Sequence, residues 1–172
     1  FIDPPLELIA TSGRVRFNAL NPRGIPLLAM LKPVLLDDDA VELASADERH
    51  LELAIAPPTR LFSEEERSRQ PSVMTPIRRL LRDFEGFSDA FLGLYGAFGH
   101  DLIFEFDPMP LRLPRGEGER LMHLYLPDRI LVMDRRLEVA WAYEFEFERR
   151  AVTTVGQMDE AFAPLDQTPR PV

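Results

Sequence analysis

The alternation from Leu137 to Glu148 constrains the fold more than any other stretch. Leu137, Val139, Trp141, Tyr143, Phe145 and Phe147 share one parity, and Glu138, Glu144, Glu146 and Glu148 share the other. Successive side chains of an extended chain point to opposite faces, so this run predicts one long strand with an apolar face and a wet face. An antiparallel sheet with one solvated side accommodates it. The glutamates are then a solvent face that discourages edge pairing, with an acid/base cluster as the alternative.

The same period of two recurs earlier. Leu6, Leu8 and Ala10 alternate with Glu7 and Ile9, and Val15, Phe17 and Ala19 face away from Arg14, Arg16 and Asn18. Thr11-Ser12-Gly13 between them reads as a turn, so the pair predicts a hairpin. Further strands are expected at Val41 to Ala44, at Leu51 to Ile55 closed by Pro57-Pro58, at Leu121 to Leu126, and at Ile130 to Asp134 before a turn at Arg135-Arg136.

Helical spacing takes over elsewhere. Ile25, Leu28, Leu31 and Leu35 mark a helix after the break at Asn21-Pro22-Arg23-Gly24. Pro26 fits its first turn, and Pro33 is expected to kink or end it. Asp37-Asp38-Asp39 reads as a solvated stop, because calcium loops use spaced ligands rather than consecutive carboxylates. Ser63 with Glu66 has the capping-box pattern of a short helix starting near Glu64 and interrupted at Pro71. Thr75-Pro76 reads as N-cap and first helical residue. Ile77, Leu80, Leu81 and Phe84 form the apolar face of that helix. Arg78, Arg79 and Arg82 lie opposite, as a solvated basic face or a clamp for a carboxylate.

Between these elements lies Gly93-Leu94-Tyr95-Gly96-Ala97-Phe98-Gly99-His100-Asp101, with three glycines at steps of three. Close backbone approach is the expected reason for them. The stretch predicts a buried strand, a glycine corner, then one or two helical turns stopped by Asp107-Pro108. Pro108 to Pro114 is expected to be extended and 115–119 a loop. Helices and strands mix without βαβ regularity, so the fold class is α+β with a mainly antiparallel sheet and packed helices.

The chain has 172 residues, within the size of one domain, and is 45% hydrophobic. Its formal net charge of −9 argues against a nucleic-acid binder and an anionic membrane surface. No apolar run approaches the roughly 20 residues of a membrane span. The absence of cysteine excludes disulfides and thiolate chemistry and makes a cytoplasmic home the simplest reading. The first residue is Phe1, and the chain ends in a polar, proline-rich stretch, which reads as a piece of something longer. His50, His100 and His123 have no second His or Cys at ligand spacing, and no carboxylate pairs with a His by sequence alone except the neighbours His100-Asp101. No catalytic, cofactor-binding or metal residue is assigned.

The glycine stretch resembles the G-L-x-G-x-F-G-Y-D segment in the N-terminal domain of anthranilate synthase component I. Phe62 to Val73, Leu124 to Asp134 and the opening Phe1-Ile2-Asp3-Pro4-Pro5-Leu6 resemble the same family, in its fused, single-chain form, and in the same order. The resemblance implies an α+β N-terminal domain over 1–148, with 149–172 a linker or tail towards a catalytic domain. It implies a parent enzyme that converts chorismate and glutamine to anthranilate, pyruvate and glutamate in tryptophan biosynthesis. Magnesium and chorismate would sit in a C-terminal chorismate-binding domain, with ammonia supplied by a glutamine amidotransferase domain or subunit. The role implied for this part is structural and regulatory, with tryptophan as a candidate feedback ligand. Two features depart from the family pattern. The chorismate and magnesium motifs are absent from this sequence. The serine-containing feedback motif, which precedes the Phe-x-Asp-Pro-Pro segment in fused enzymes, is missing, and Glu42 to Asp47 faintly echoes only the Leu-Glu-Ser form of two-subunit enzymes, at the wrong place for the fused type. His100 also stands where the family has Tyr. A stand-alone module binding tryptophan or a partner protein, and the N-terminal domain of an aminodeoxychorismate synthase, are the alternatives.

Overall fold

The computed structural model describes residues 1–57, 66, 70–86, 89–107, 112, 116 and 118–157. Alternation in the first half of the chain becomes a sheet. The strands β1 (Leu6–Thr11), β2 (Arg14–Ala19), β3 (Val41–Ala46), β4 (His50–Ile55), β5 (Tyr95–Phe98) and β6 (Met122–Leu126) lie in the order β3-β4-β2-β1-β6-β5. Every neighbouring pair is antiparallel. Register aligns the inward residues across the sheet: Leu51 opposes Phe17, Phe17 opposes Leu8, and Leu8 opposes Leu124. All four are at most 2% exposed. Rows of directly opposed apolar side chains are the unit of sheet stabilisation, and this row is the centre of the core.

Two helices cover that face. α1 (Gly24–Leu35) buries Leu27, Leu28, Leu31 and Leu35 in the core, and α2 (Met74–Phe84) buries Ile77 and Leu80. α1 runs through Pro33 rather than ending there. Pro33 lies in the last turn, so its missing N–H forfeits one bond, the one to the Ala29 carbonyl. The turn is held beyond it by Leu36 N–H to the Lys32 carbonyl at 3.1 Å and Asp37 N–H to the Val34 carbonyl at 3.3 Å. α2 starts at Met74, before the expected Thr75 cap. The N-cap is Val73, without a side-chain cap, and the turn before it is held by the Ser72 hydroxyl accepting from the Met74 N–H at 3.3 Å and the Thr75 hydroxyl accepting from the Ser72 N–H at 3.1 Å. Leu81 is 44% exposed and does not join the buried face.

The glycine stretch folds as strand, corner and short helix, but the strand is not buried. β5 is the exposed edge of the sheet, and the turns after Gly99 form a 3-10 helix, His100–Glu105. Crowding comes from the backbone of β6. A Cβ on Gly96 would strike the His123 carbonyl oxygen and lie 2.8 Å from Leu124 Cα, and one on Gly99 would lie 2.8 Å from the Arg120 carbonyl oxygen. Gly93 has open space around it.

The long alternating run breaks into three parts. Residues 135–138 turn, with Glu138 at φ +54°, a conformation rare for any residue with a Cβ. β8 (Val139–Glu144) pairs with β7 (Arg129–Asp134) in a separate two-stranded ribbon. After Glu144 the chain leaves the ribbon, and Phe147 packs against the main core. Glu148–Arg149 (β9) and Val152–Thr153 (β10) then make a small hairpin against α1. The expected apolar face is consequently not buried as a unit. Leu137, Val139 and Trp141 are 56%, 41% and 44% exposed. Periodicity predicted a strand correctly but not what faces it. The expected helix near Glu64, the extended 108–114 segment and the tail from 158 lie outside the described residues.

Replacing Gly96 by alanine tests the crowding at β5. Backbone atoms of β6 cannot swing aside, so the variant is expected to lose about 1–3 kcal/mol in denaturant unfolding. Amides of Tyr95 to Phe98 should exchange with solvent faster. Unchanged protection there would show that the glycine is not required for the pairing.

Candidate functional site

The sheet face opposite the helices carries the polar parity of each strand. There, side chains from five strands join one hydrogen-bonded row. Arg120 donates to His123 Nδ1 at 3.2 Å, and His123 Nε2–H donates to Glu7 Oε2 at 3.0 Å. Asn18 donates to Glu7 Oε1 at 2.9 Å, and His50 Nδ1–H donates to Asn18 Oδ1 at 3.0 Å. The Ser45 hydroxyl reaches His50 Nε2 at 3.3 Å and Glu52 at 3.4 Å. These tautomers are assigned from the pattern of donors. Every donor on either side of Glu7 points towards it, so its carboxylate is the acceptor that terminates the row.

This arrangement corrects the expectation that no carboxylate pairs with a histidine. Glu7 and His123 are 116 positions apart, on the outward parity of two paired strands. Parity was readable in the sequence, whereas the pairing of β1 with β6 was not. The row is nonetheless poor catalytic equipment. Both ring nitrogens of His50 and of His123 are already engaged. Three strand steps separate the two rings, about 14 Å at the usual strand spacing, so they cannot share a metal. His100 is on the 3-10 helix with its side chain 91% exposed, 3.7 Å from Asp101. The glutamates of the alternating run diverge: Glu138 is in a turn, Glu144 lies 3.7 Å from Arg129, and Glu146 accepts from the Gly156 N–H at 3.0 Å. Among the described residues no three His, Cys, Asp or Glu side chains converge as metal ligands, and Asp37 is paired with Arg79. These residues do not fit a magnesium ion.

Aromatic rings border one end of the row. His123 lies 4.8 Å from Tyr125 between centroids, and Phe1 lies 5.5 Å from Tyr125 and 5.9 Å from Tyr95. The Tyr95 hydroxyl donates to the Phe91 carbonyl at 2.6 Å. Burial, and then the charge of Asp89, push its pKa above the ordinary phenol value.

A second feature lies on the outer side of the helices. α1, α2 and the β9–β10 hairpin border a cavity of about 770 Å³ that is open to solvent. Its charged lining among the described residues is Arg79, Arg82, Arg149 and Arg150 with Asp37 and Asp83. Arg79 pairs with Asp37, and Arg149 with Asp83 at 2.5 Å. The apolar lining includes Met30, Pro33 and Val152. Of the three arginines read as a basic face or clamp, the structure brings Arg79 and Arg82 to this cavity. Burial, and then the charge of Arg82, lower the pKa of Arg78. Arg149 and Arg150 were missed because they follow the alternating run and carried no helical or strand signal.

Fold and site together define an α+β domain with a closed polar row on one face and an arginine-lined cavity on the other. No family model matches the chain. Over 156 residues it is 38% identical to the protein named anthranilate synthase of Azospirillum brasilense, a match covering 91% of this chain and 21% of that relative. The chain is thus homologous to anthranilate synthase, which bears out the likeness of its motifs, and it spans about a fifth of the relative's length. No helix among the described residues is long and apolar enough to cross a membrane.

The Tyr95 shift gives a pH prediction. The fold favours the protonated phenol, so its contribution holds below the unfolded value of about 10 and is lost as pH rises from there towards the folded pKa. Ultraviolet titration should show one tyrosine ionising late, and Tyr95→Phe should remove it. A late step that persists in the variant would contradict the assignment.

Proposed function

We propose that this chain is the N-terminal domain of a fused anthranilate synthase and that its role there is structural and regulatory. The observation that carries this is the 38% identity over 91% of the chain. The parent reaction is chorismate plus glutamine to anthranilate, pyruvate and glutamate. Chorismate and magnesium belong to the C-terminal chorismate-binding domain, and ammonia comes from the glutamine amidotransferase domain or subunit. The geometry supports a non-catalytic role for this part. The histidines of the polar row are consumed in hydrogen bonds, and the described residues offer no metal group. The ribbon β7–β8 exposes Val139 and Trp141 on one face and Met133 on the other, with Leu137 in its turn, apolar surface of the kind that further protein covers.

That ribbon also favours a second reading, a stand-alone module that binds tryptophan or a partner protein. A third keeps the enzyme class with aminodeoxychorismate as product, which analysis of the products of the enzyme containing this chain would separate from anthranilate.

With chorismate, ammonia and magnesium, the 172-residue chain alone is expected to give no anthranilate fluorescence above the uncatalysed background. Turnover by the isolated chain would overturn the non-catalytic assignment. Tryptophan calorimetry addresses the second reading, which loses its ligand if no heat is evolved.

A further inference from the structure

The arginine-lined cavity plays no part in the reading above. Its position follows from the fold. α2 presents Arg79 and Arg82 on the face away from the core, and the two-residue turn of the β9–β10 hairpin brings Arg150 to the same space. This gathering is electrostatically unfavourable by itself. Arginines three and four apart on a helix repel, and Arg82 adds to burial in lowering the pKa of Arg78. Two of the four guanidiniums are neutralised by aspartates. Arg82 and Arg150 have no ion-pair partner among the described residues. The lining is therefore net positive on a chain whose formal charge is −9.

Arg150 adds a backbone observation. It sits at φ +56°, in the left-handed region that favours glycine. A hairpin turn at this position is ordinarily given to Gly or Asn. A long cationic side chain is kept there although the hairpin pairs only Val152 with Arg149 and Thr153 with Glu148. The floor is apolar, formed by Met30, Pro33 and Val152. A volume of about 770 Å³ suits a small molecule.

We propose that this cavity binds a small organic dianion, a compact apolar body bearing two carboxylates. Arg82 on α2 takes one carboxylate and Arg150 on the hairpin takes the other. The planar guanidinium matches a carboxylate with two parallel hydrogen bonds. The carbon body lies against Pro33 and Val152. Arg79 and Arg149 remain with their aspartates and shape the walls.

Calorimetric titration of the 172-residue chain with phthalate tests this, with benzoate and inorganic phosphate as controls. Phthalate is expected to bind at least tenfold more tightly than benzoate, which lacks the second carboxylate, and than phosphate, which lacks the apolar body. Arg82→Gln and Arg150→Gln should each weaken phthalate about tenfold. Arg150→Gly relieves the backbone strain, so it should unfold at the same or a higher temperature while losing the same affinity, which separates lost binding from lost folding. Equal affinity for phthalate and either control, phthalate affinity unaltered in the arginine variants, or no binding of phthalate would each overturn the proposal.

Discussion

One guanidinium inside the protein ties together segments that the sheet alone would leave loose. The Arg23 side chain is 4% exposed and that of Asp128 1%. Arg23 donates to Asp128 through Nε at 2.6 Å and Nη2 at 3.3 Å, and its Nη2 also reaches the Asp3 carbonyl at 2.8 Å and the Asp3 carboxylate at 3.1 Å. Burial works to discharge Arg23, but the hydrogen bonds and charges of Asp128 and then Asp3 outweigh it and hold its pKa above the ordinary value. Asn21 completes the knot by donating to the Asp3 carbonyl at 3.1 Å and accepting from the Arg23 N–H at 3.1 Å. The residues that lead into β1, the start of α1 and the β6–β7 junction are thereby fixed to one another. Asp3 sits at φ +44° among these contacts, in a left-handed region that aspartate adopts more readily than most residues with a Cβ.

The arrangement explains why the two sides of the molecule differ. With α1 pinned at its start, its apolar stripe lies along the row Leu51-Phe17-Leu8-Leu124, and the helices exclude water from that face. The other face must satisfy its polar residues laterally, which it does through the row ending at Glu7. Buried or half-buried polar groups left without partners cost about 1–3 kcal/mol each, so the continuity of that row is a condition of the sheet's width. The apolar ribbon and the arginine-lined cavity lie at the periphery, away from that row.

What the sequence disclosed follows the same division. Strands with Leu, Val or Phe at every second position, such as β1, β2 and β4, were legible because alternation reports burial directly. The run from Leu137 to Glu148 carried a stronger alternation and was misread, since its length suggested one strand while Glu138 turns the chain and Phe145 leaves the ribbon. Alternation says which residues share a face and nothing about what covers it. Pro33 was overestimated as a breaker because the cost of a helix proline depends on how many turns follow. Arg23 and Asp128, 105 positions apart, gave no local sign of their pairing. At the cavity, Arg79 and Arg82 lie on the outer helix face that the spacing marked as basic, whereas Arg150 became visible only through its turn geometry. The family likeness was carried by short motifs in order, and homology to anthranilate synthase agrees with it.

The most direct test of this account is a double-mutant cycle between Arg23 and Asp128, read by denaturant unfolding. Arg23→Met strands the buried Asp128 carboxylate and is expected to cost about 3–5 kcal/mol; Asp128→Leu leaves Arg23 with Asp3 alone and should cost less. The double variant removes both charges and should be at least about 2 kcal/mol more stable than the sum of the single losses implies. Additive losses would contradict the claim that this ion pair holds the sheet, the first helix and the β6–β7 junction in one piece.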